Sequence, residues 1–427
     1  MYCFLAPTKY ELRQAKVAER DGDYVIALYR WLSHATKGDD ENKIGGEVCR
    51  IIGKVFAKQA LVQPRATIEA VLERLWRTHK TPDKYSSLST MLKLFEASLN
   101  QVLAEKNWYR FAHLTFRARN MILMVDNHLG DTQAAEIYIN KQNQQVNRLE
   151  ADPELFHLVL DFKAHEIETM VNLMAFEAAL QKAKAYYGLI QSYKAMWELF
   201  TEQAATDFVR SKISIKAEMT LIRCTLLHEN NPLEPSARSS ILSDTQARLN
   251  ALAEIVDSPS DISRLSNYQV MCFLKNAEPV KAVSHCLQLH KKIHSIRLGD
   301  FDLFWFLRAM NDWILDDNAQ GRKPGTTASH IWETAWAEIE AAGHPRDLIW
   351  REIALFEQHR GNRSKAVKAL VKSKKYSTQN NSPILEHLAE MIDEHRKFIN
   401  NETLQSEMRE EPHRSHYLYQ LRLKSPY

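Results

Sequence analysis

Breakers and strand-makers are both scarce in this chain of 427 residues, which has only 12 Gly and 13 Pro. Runs of alternating β-branched residues between Gly or Asn turns are nearly absent, and that excludes a sheet-based fold as the expectation. No apolar run approaches the roughly 20 residues that a membrane-spanning helix needs. The opening stretch MYCFLAPTKYELRQAK lacks the basic start and long apolar middle of a signal peptide. The five cysteines, Cys3, Cys49, Cys224, Cys272 and Cys286, are scattered without a C-x₂-C pair. This excludes a disulfide framework and suits a reducing compartment, so the expected location is the cytoplasm. Charge of one sign is missing too: 56 basic and 53 acidic residues leave a formal charge of +3, which gives no argument for a nucleic-acid or membrane surface. No G-x-S-x-G elbow, Gly-rich dinucleotide loop or kinase signature occurs, so the expectation is a protein without cofactor or catalysis.

What is present is apolar residue at helical period, within a composition that is 45% hydrophobic and 26% charged. The clearest stretch is residues 346–376. Leu348, Ile349, Ile353 and Phe356 form one stripe, a basic break with Gly361 follows, and Ala366, Val367, Leu370 and Val371 form a second stripe. Two such helices cannot bury both apolar faces alone, so the pattern predicts a stack of helix pairs.

At these residues the chain resembles the tetratricopeptide repeat, whose motif is W-x₂-L-G-x₂-Y followed by A-x₃-F. Here Trp350-x₂-Ile353-Ala354 precedes Ala366-x₃-Leu370, with Ala354 in place of Gly and Glu357 in place of Tyr. Gly22-Asp23-Tyr24 with Ala27 and Trp31 is similar to the turn and second helix of the same unit. Gly130-Asp131 before Ala134 and Ala135 is a third such place. The resemblance implies an all-α fold, an α-solenoid of antiparallel helix pairs in a right-handed superhelix. It also implies a concave surface that grips peptides or partner helices.

In chain order, helices are expected over 9–20 and 24–35, a loop over 37–43, helices opened by Pro64 and Pro82, and long helices through 153–227. The Pro-, Asn- and Ser-rich segment 229–240 reads as a linker between an N-terminal half, 1–228, and a C-terminal half, 241–399. A further break falls at 257–263, where Asp261 or Ser263 is expected to cap the next helix. Helices are expected over 264–274 and 280–296, and residues 400–427 form a tail.

Candidate sites are few. The aromatic window 301–315, with Trp336 beyond it, supplies a guessed protein-binding group of Trp305, Arg308, Trp313 and Trp336. Cys286, His290 and His294 recur every four residues and share a helical face at metal-ligand spacing. No fourth ligand pairs with them in sequence, so they read as a half-buried helix surface and no metal is expected. The lysines around Lys365 and Lys372 make a basic face open to phosphate or to an acidic partner, with nucleic acid the lesser expectation. The functional expectation is a non-catalytic adaptor or regulator that binds another protein or peptide. The alternative is a regulator whose shape changes with a bound peptide or small ligand.

Overall fold

The computed structural model describes residues 7–36, 40–58, 63–81, 84–150, 152, 155–173, 175–198, 211–228, 235–292, 300–319, 347–359 and 362–379. Among these every regular element is helical and no strand occurs. Two compact units divide the chain, residues 1–169 and 170–427. Among the described residues no helix is long and apolar enough to cross a membrane.

The first unit contains α1 (Pro7–Arg20), α2 (Tyr24–Ala35), α3 (Glu41–Lys58), α4 (Gln63–His79), α5 (Tyr85–Glu105), α6 (Ala112–Leu129), α7 (Thr132–Asn143), the single turn α8 (Val146–Glu150) and most of α9 (Phe156–Asn172). A 3₁₀ turn at Tyr109–Phe111 leads into α6. Each helix packs on the next, α1 on α2, α2 on α3, and so on to α6 and α7. Helices also pack on the next but one: α2 on α4, α4 on α6, and α3 on α5. Two rows result, one of α2, α4 and α6 and one of α3 and α5, with a core of Leu28, Ile51, Leu72, Phe95 and Phe116 between them.

Two asparagines extend the first row to α9. Asn120 donates to the Leu158 carbonyl at 2.8 Å and Asn127 to the His165 carbonyl at 3.0 Å, each spanning 38 residues. An identical offset at two sites seven residues apart is possible only if α6 and α9 run parallel and in register. Towards α5 the same helix shows the opposite relation. Arg119 bonds Glu96 at 2.7 Å, and Asp126, seven residues on, accepts from Ser89, seven residues back, at 2.7 Å. Thus α5 and α6 are antiparallel. Each of these polar groups is buried, so each needs its partner.

The second unit contains α10 (Phe176–Glu198), α11 (Lys212–His228), α12 (Pro235–Ala253), α13 (Pro259–Lys275), α14 (Pro279–Lys292), α15 (Asp300–Ala319), α16 (Asp347–His359) and α17 (Arg363–Gln379). Packing again joins neighbours, such as α13 to α14 and α16 to α17, and next-but-one pairs such as α11 to α13 and α13 to α15. Of the expected linker, residues 229–234 lie outside the described residues, and helix α12 begins at Pro235, whose fixed φ suits a first helical turn. The cap of α13 is Ser258, whose hydroxyl accepts from the Asp261 N–H at 3.2 Å with Pro259 following it. The capping role expected of Asp261 or Ser263 therefore falls to an earlier residue, because Pro259 already opens the helix.

One turn recurs in both units. At Gly22 and Gly130 the backbone is left-handed, with φ of 84° and 76°. The next residue's N–H then reaches back five positions, Asp23 to Ala18 and Asp131 to Asp126, which ends the helix as a Schellman motif. The Asp23 and Asp131 side chains cap the following helices by accepting from Ile26 and Ala134. The five-residue reach-back recurs at Trp108, Ala175, Glu278 and Asn362. In five of these six cases the residue four positions later, Ala27, Ala135, Ala179, Ala282 or Ala366, is 0% exposed, the exception being the half-buried Ala112 after Trp108. At Ala27, Ala135, Ala282 and Ala366 a methyl group lets the two packed helices of the hairpin approach closely just after the turn. Glycine is absent from two of the four described left-handed positions, Asn107 at φ 55° and Ala277 at φ 56°, the latter in the turn between α13 and α14. That is why the sequence shows no glycine signal for this turn.

The hairpin of α16 and α17 differs from its expected pattern in one respect. Ile349, Ile353, Phe356, Ala366 and Leu370 are buried as expected, but Val371 is 46% exposed and Val367 only half-buried. Ser373 and Ser377 take the buried stripe instead. Small hydroxyl side chains lie along the buried line, and Val371 turns outward.

The turn geometry sets opposite expectations for two substitutions. An added Cβ at Gly22 meets no atom within 4 Å, so only the dihedral resists it. Gly22→Ala should lower the unfolding free energy by about 1 kcal/mol, and Ala277→Gly should raise it by about 0.5–1 kcal/mol. Urea denaturation followed by circular dichroism measures both, and destabilisation by Ala277→Gly would contradict the turn.

Candidate functional site

The residues singled out by sequence lie in several places. Trp305 and Arg308, on α15, are 5% and 9% exposed. Trp305 meets Phe304 edge to face, with ring centroids 5.1 Å apart. Arg308 lies 3.7 Å from the Glu352 carboxylate, which also takes a 2.9 Å bond from Arg351. Asn311 donates to both the Glu352 backbone carbonyl, at 3.0 Å, and its side chain, at 2.9 Å. This buried group of two guanidiniums, one carboxylate and one amide joins α15 to α16. Trp313 is half-buried, and Trp336 lies outside the described residues. The aromatic window thus places Trp305 and Arg308 in buried, packed positions.

Cys286 is half-buried on α14, while His294 and the side chain of His290 lie outside the described residues. Among the described residues no three His, Cys, Asp or Glu side chains gather as a metal would require. Lys365, Lys368, Lys372, Lys374 and Lys375 on α17 are exposed.

A different surface carries the residue types that binding favours. The row of α2, α4 and α6 carries a half-exposed face. On α6 this face is the stripe His113, Arg117, Met121, Met124 and His128, spaced by four, four, three and four residues. Its neighbours on α6, Phe116, Asn120 and Asn127, are spent on core and on α9. Between α4 and α6, Arg117 bonds Glu69 at 2.7 Å, and Arg65 reaches the same carboxylate at 3.3 Å. Between α2 and α4, the Arg74 guanidinium lies 5.0 Å over the Tyr29 ring, and Tyr29 OH is 3.4 Å from His79 Nε2. At one end of the face, Trp76 stacks on Tyr85 and Tyr85 on His128, with centroids 6.4 and 5.2 Å apart.

Rigid aromatic rings, two methionines and arginines held by cross-helix contacts are the groups over-represented where proteins bind one another. Their rotamers are fixed by neighbours, so little freedom is lost when a partner arrives. What the face offers chemically is apolar contact flanked by guanidinium donors. Sequence reading missed it because its residues come from three helices separated by 30 to 50 positions. The one available signal was the stripe of Arg and Met within the long periodic stretch 108–124.

Two histidines of this face are held below the ordinary value of 6.5. Burial is the main cause for both, assisted by the Lys84 charge for His79 and the Arg65 charge for His113. Nearby, burial pushes the Asp126 carboxyl up, against the pull of Lys93 and Ser89. On the far side of the unit, Glu19 is brought down to about 2 chiefly by its bonds from Arg50, with burial opposing and Lys54 assisting.

Set beside models of known protein families, the chain matches none, and no curated protein matches it significantly. The reading of the face therefore rests on its own chemistry.

The depressed histidines fix the sign of a pH effect. Once unfolded they take up protons near pH 6.5, whereas the folded chain resists, so the unfolded state binds more protons and stability falls as pH drops below about 6.5. Glu19 acts in a separate window: its stabilisation is complete above 4.5, its unfolded value, and is lost only below that. Denaturation midpoints should therefore fall between pH 7.5 and 5.5, and His79→Gln with His113→Gln should flatten that slope. In the second unit, Glu352→Ala leaves two guanidiniums buried without their carboxylate. Thermal or urea unfolding should register a loss of about 3–5 kcal/mol.

Proposed function

We propose that this protein is a non-catalytic adaptor or regulator that holds a segment of another polypeptide. In this reading the hairpins of each unit stack as a tetratricopeptide-like solenoid, and the face of α2, α4 and α6 is the gripping surface of the first. The observation that carries it is the pair of equal 38-residue offsets from Asn120 and Asn127 to α9. Helices of successive hairpins that lie parallel and in register are the defining feature of a helical repeat, in which each unit leans only on its neighbours. Packing between nearest and next-but-one helices supports the same view. So does the recurrence of one turn followed by a buried alanine. Such stacks leave the side chains of one helix row available to extended peptides and to amphipathic helices. A cytoplasmic setting is part of the proposal and rests on the scattered cysteines.

The test is capture by the full chain from extracts of its host, with bound proteins quantified against bait. Wild type is expected to retain one partner near equal stoichiometry. Arg74→Glu combined with Met121→Gln should release it while circular dichroism stays unchanged. Undiminished capture of that partner by the double variant would overturn the assignment of the face.

A further inference from the structure

The last described helix carries charge of one sign only. From Arg363 to Gln379, α17 contains five lysines, one arginine and no acidic residue. Lys365, Lys368, Lys372 and Lys375 follow one another at steps of three, four and three and so lie along one line of the helix. All four are exposed, and the opposite line, Ala366, Leu370, Ser373 and Ser377, is buried. On the partner helix α16, Glu352 is engaged with Arg308, Asn311 and Arg351, and Glu357 accepts from Asn362. Lys372 lies 4.0 Å over the ring of Trp350 on α16, which holds the stripe against the helix pair, and Lys375 lies 6.0 Å over its chain neighbour Tyr376. Val371, 46% exposed, sits beside Lys368 and Lys375 on the same side.

We infer that this stripe is a docking surface for an acidic amphipathic helix of a partner polypeptide. It is a second surface, in the second unit, and does not depend on the face of α2, α4 and α6. Four features select this occupant. Lys365 to Lys372 and Lys368 to Lys375 are each seven residues apart, about 10.5 Å along the axis, which is the repeat of a helix with carboxylates at every heptad. A nucleic-acid duplex presents one charge per about 1.7 Å of axis, hence about nine over the roughly 15 Å of the stripe, more than twice what four lysines answer. The aromatic ring under Lys372 is buried, so it offers no platform on which a base can stack. An exposed valine among the lysines instead matches an apolar side chain of a partner helix.

The probe is a synthetic three-heptad peptide with two Glu and one Leu in each heptad, fluorescently labelled and titrated with the full-length protein. A Gln-for-Glu version, a duplex DNA of matching length and vesicles containing anionic lipid are measured alongside. Saturable binding of the Glu peptide is expected, weakening steeply with salt. The triple variant Lys365→Glu, Lys368→Glu and Lys375→Glu should weaken it by about tenfold or more, and Val371→Ser by a few-fold at unchanged salt dependence. All four positions are exposed, and circular dichroism verifies that the variants fold. Equal binding of the Glu and Gln peptides, no loss in the triple variant, or tighter binding of duplex or vesicle than of the Glu peptide would each overturn the proposal.

Discussion

Close approach of two helices immediately after a tight turn is the constraint on which the architecture depends. At Ala27, Ala135, Ala282 and Ala366 a fully buried methyl group follows the turn of a packed hairpin. The preceding turn fixes where the second helix starts, because the N–H after the left-handed residue must reach back five positions. Turn and alanine act together: the turn sets direction, and the small side chain sets separation. Larger apolar residues further along, such as Leu28 and Phe116, then fill the space that the hairpins leave between them.

Buried polar groups add a second layer of definition. Apolar helices can slide along one another at modest cost, whereas a buried amide or guanidinium is satisfied at one register only. Asn120 and Asn127 fix α9 on α6, Arg119 and Asp126 fix α6 on α5, and Asn311 fixes α16 on α15. Asn311 repeats the device of the first unit, an amide donating to a mid-helix carbonyl 41 residues on, around the Glu352 ion pairs. Side chains that looked chemically interesting in isolation, Arg308 above all, are used for this purpose.

The two surfaces proposed for binding differ in kind. The face of α2, α4 and α6 combines rings, methionines and arginines, and its charges are largely engaged with one another, as with Glu69 between Arg65 and Arg117. It suits a partner chosen by shape and apolar contact. The line of lysines on α17 has no acidic residue on its own helix, which makes it a surface for charge and one sensitive to salt. A protein with both can hold one partner by fit and recruit another by charge.

Helix content, the hairpin of α16 and α17, and the turns at Gly22 and Gly130 were legible in the sequence, because period, glycine and a capping aspartate are local signals. The turns at Ala175 and Ala277 were not legible, since no glycine marks them. Val371 was misplaced for a related reason: periodicity cannot tell which of two adjacent stripes a neighbouring helix will choose, and here the line with the serines is the buried one. By itself the sequence determined that the chain forms helices in pairs, since hydrogen bonding and side-chain period within a helix depend on residues three or four apart. Only the tertiary structure decided which polar side chains are buried and which line is left facing water. Those outcomes depend on helices 20 to 40 residues away, and no short window of sequence contains them.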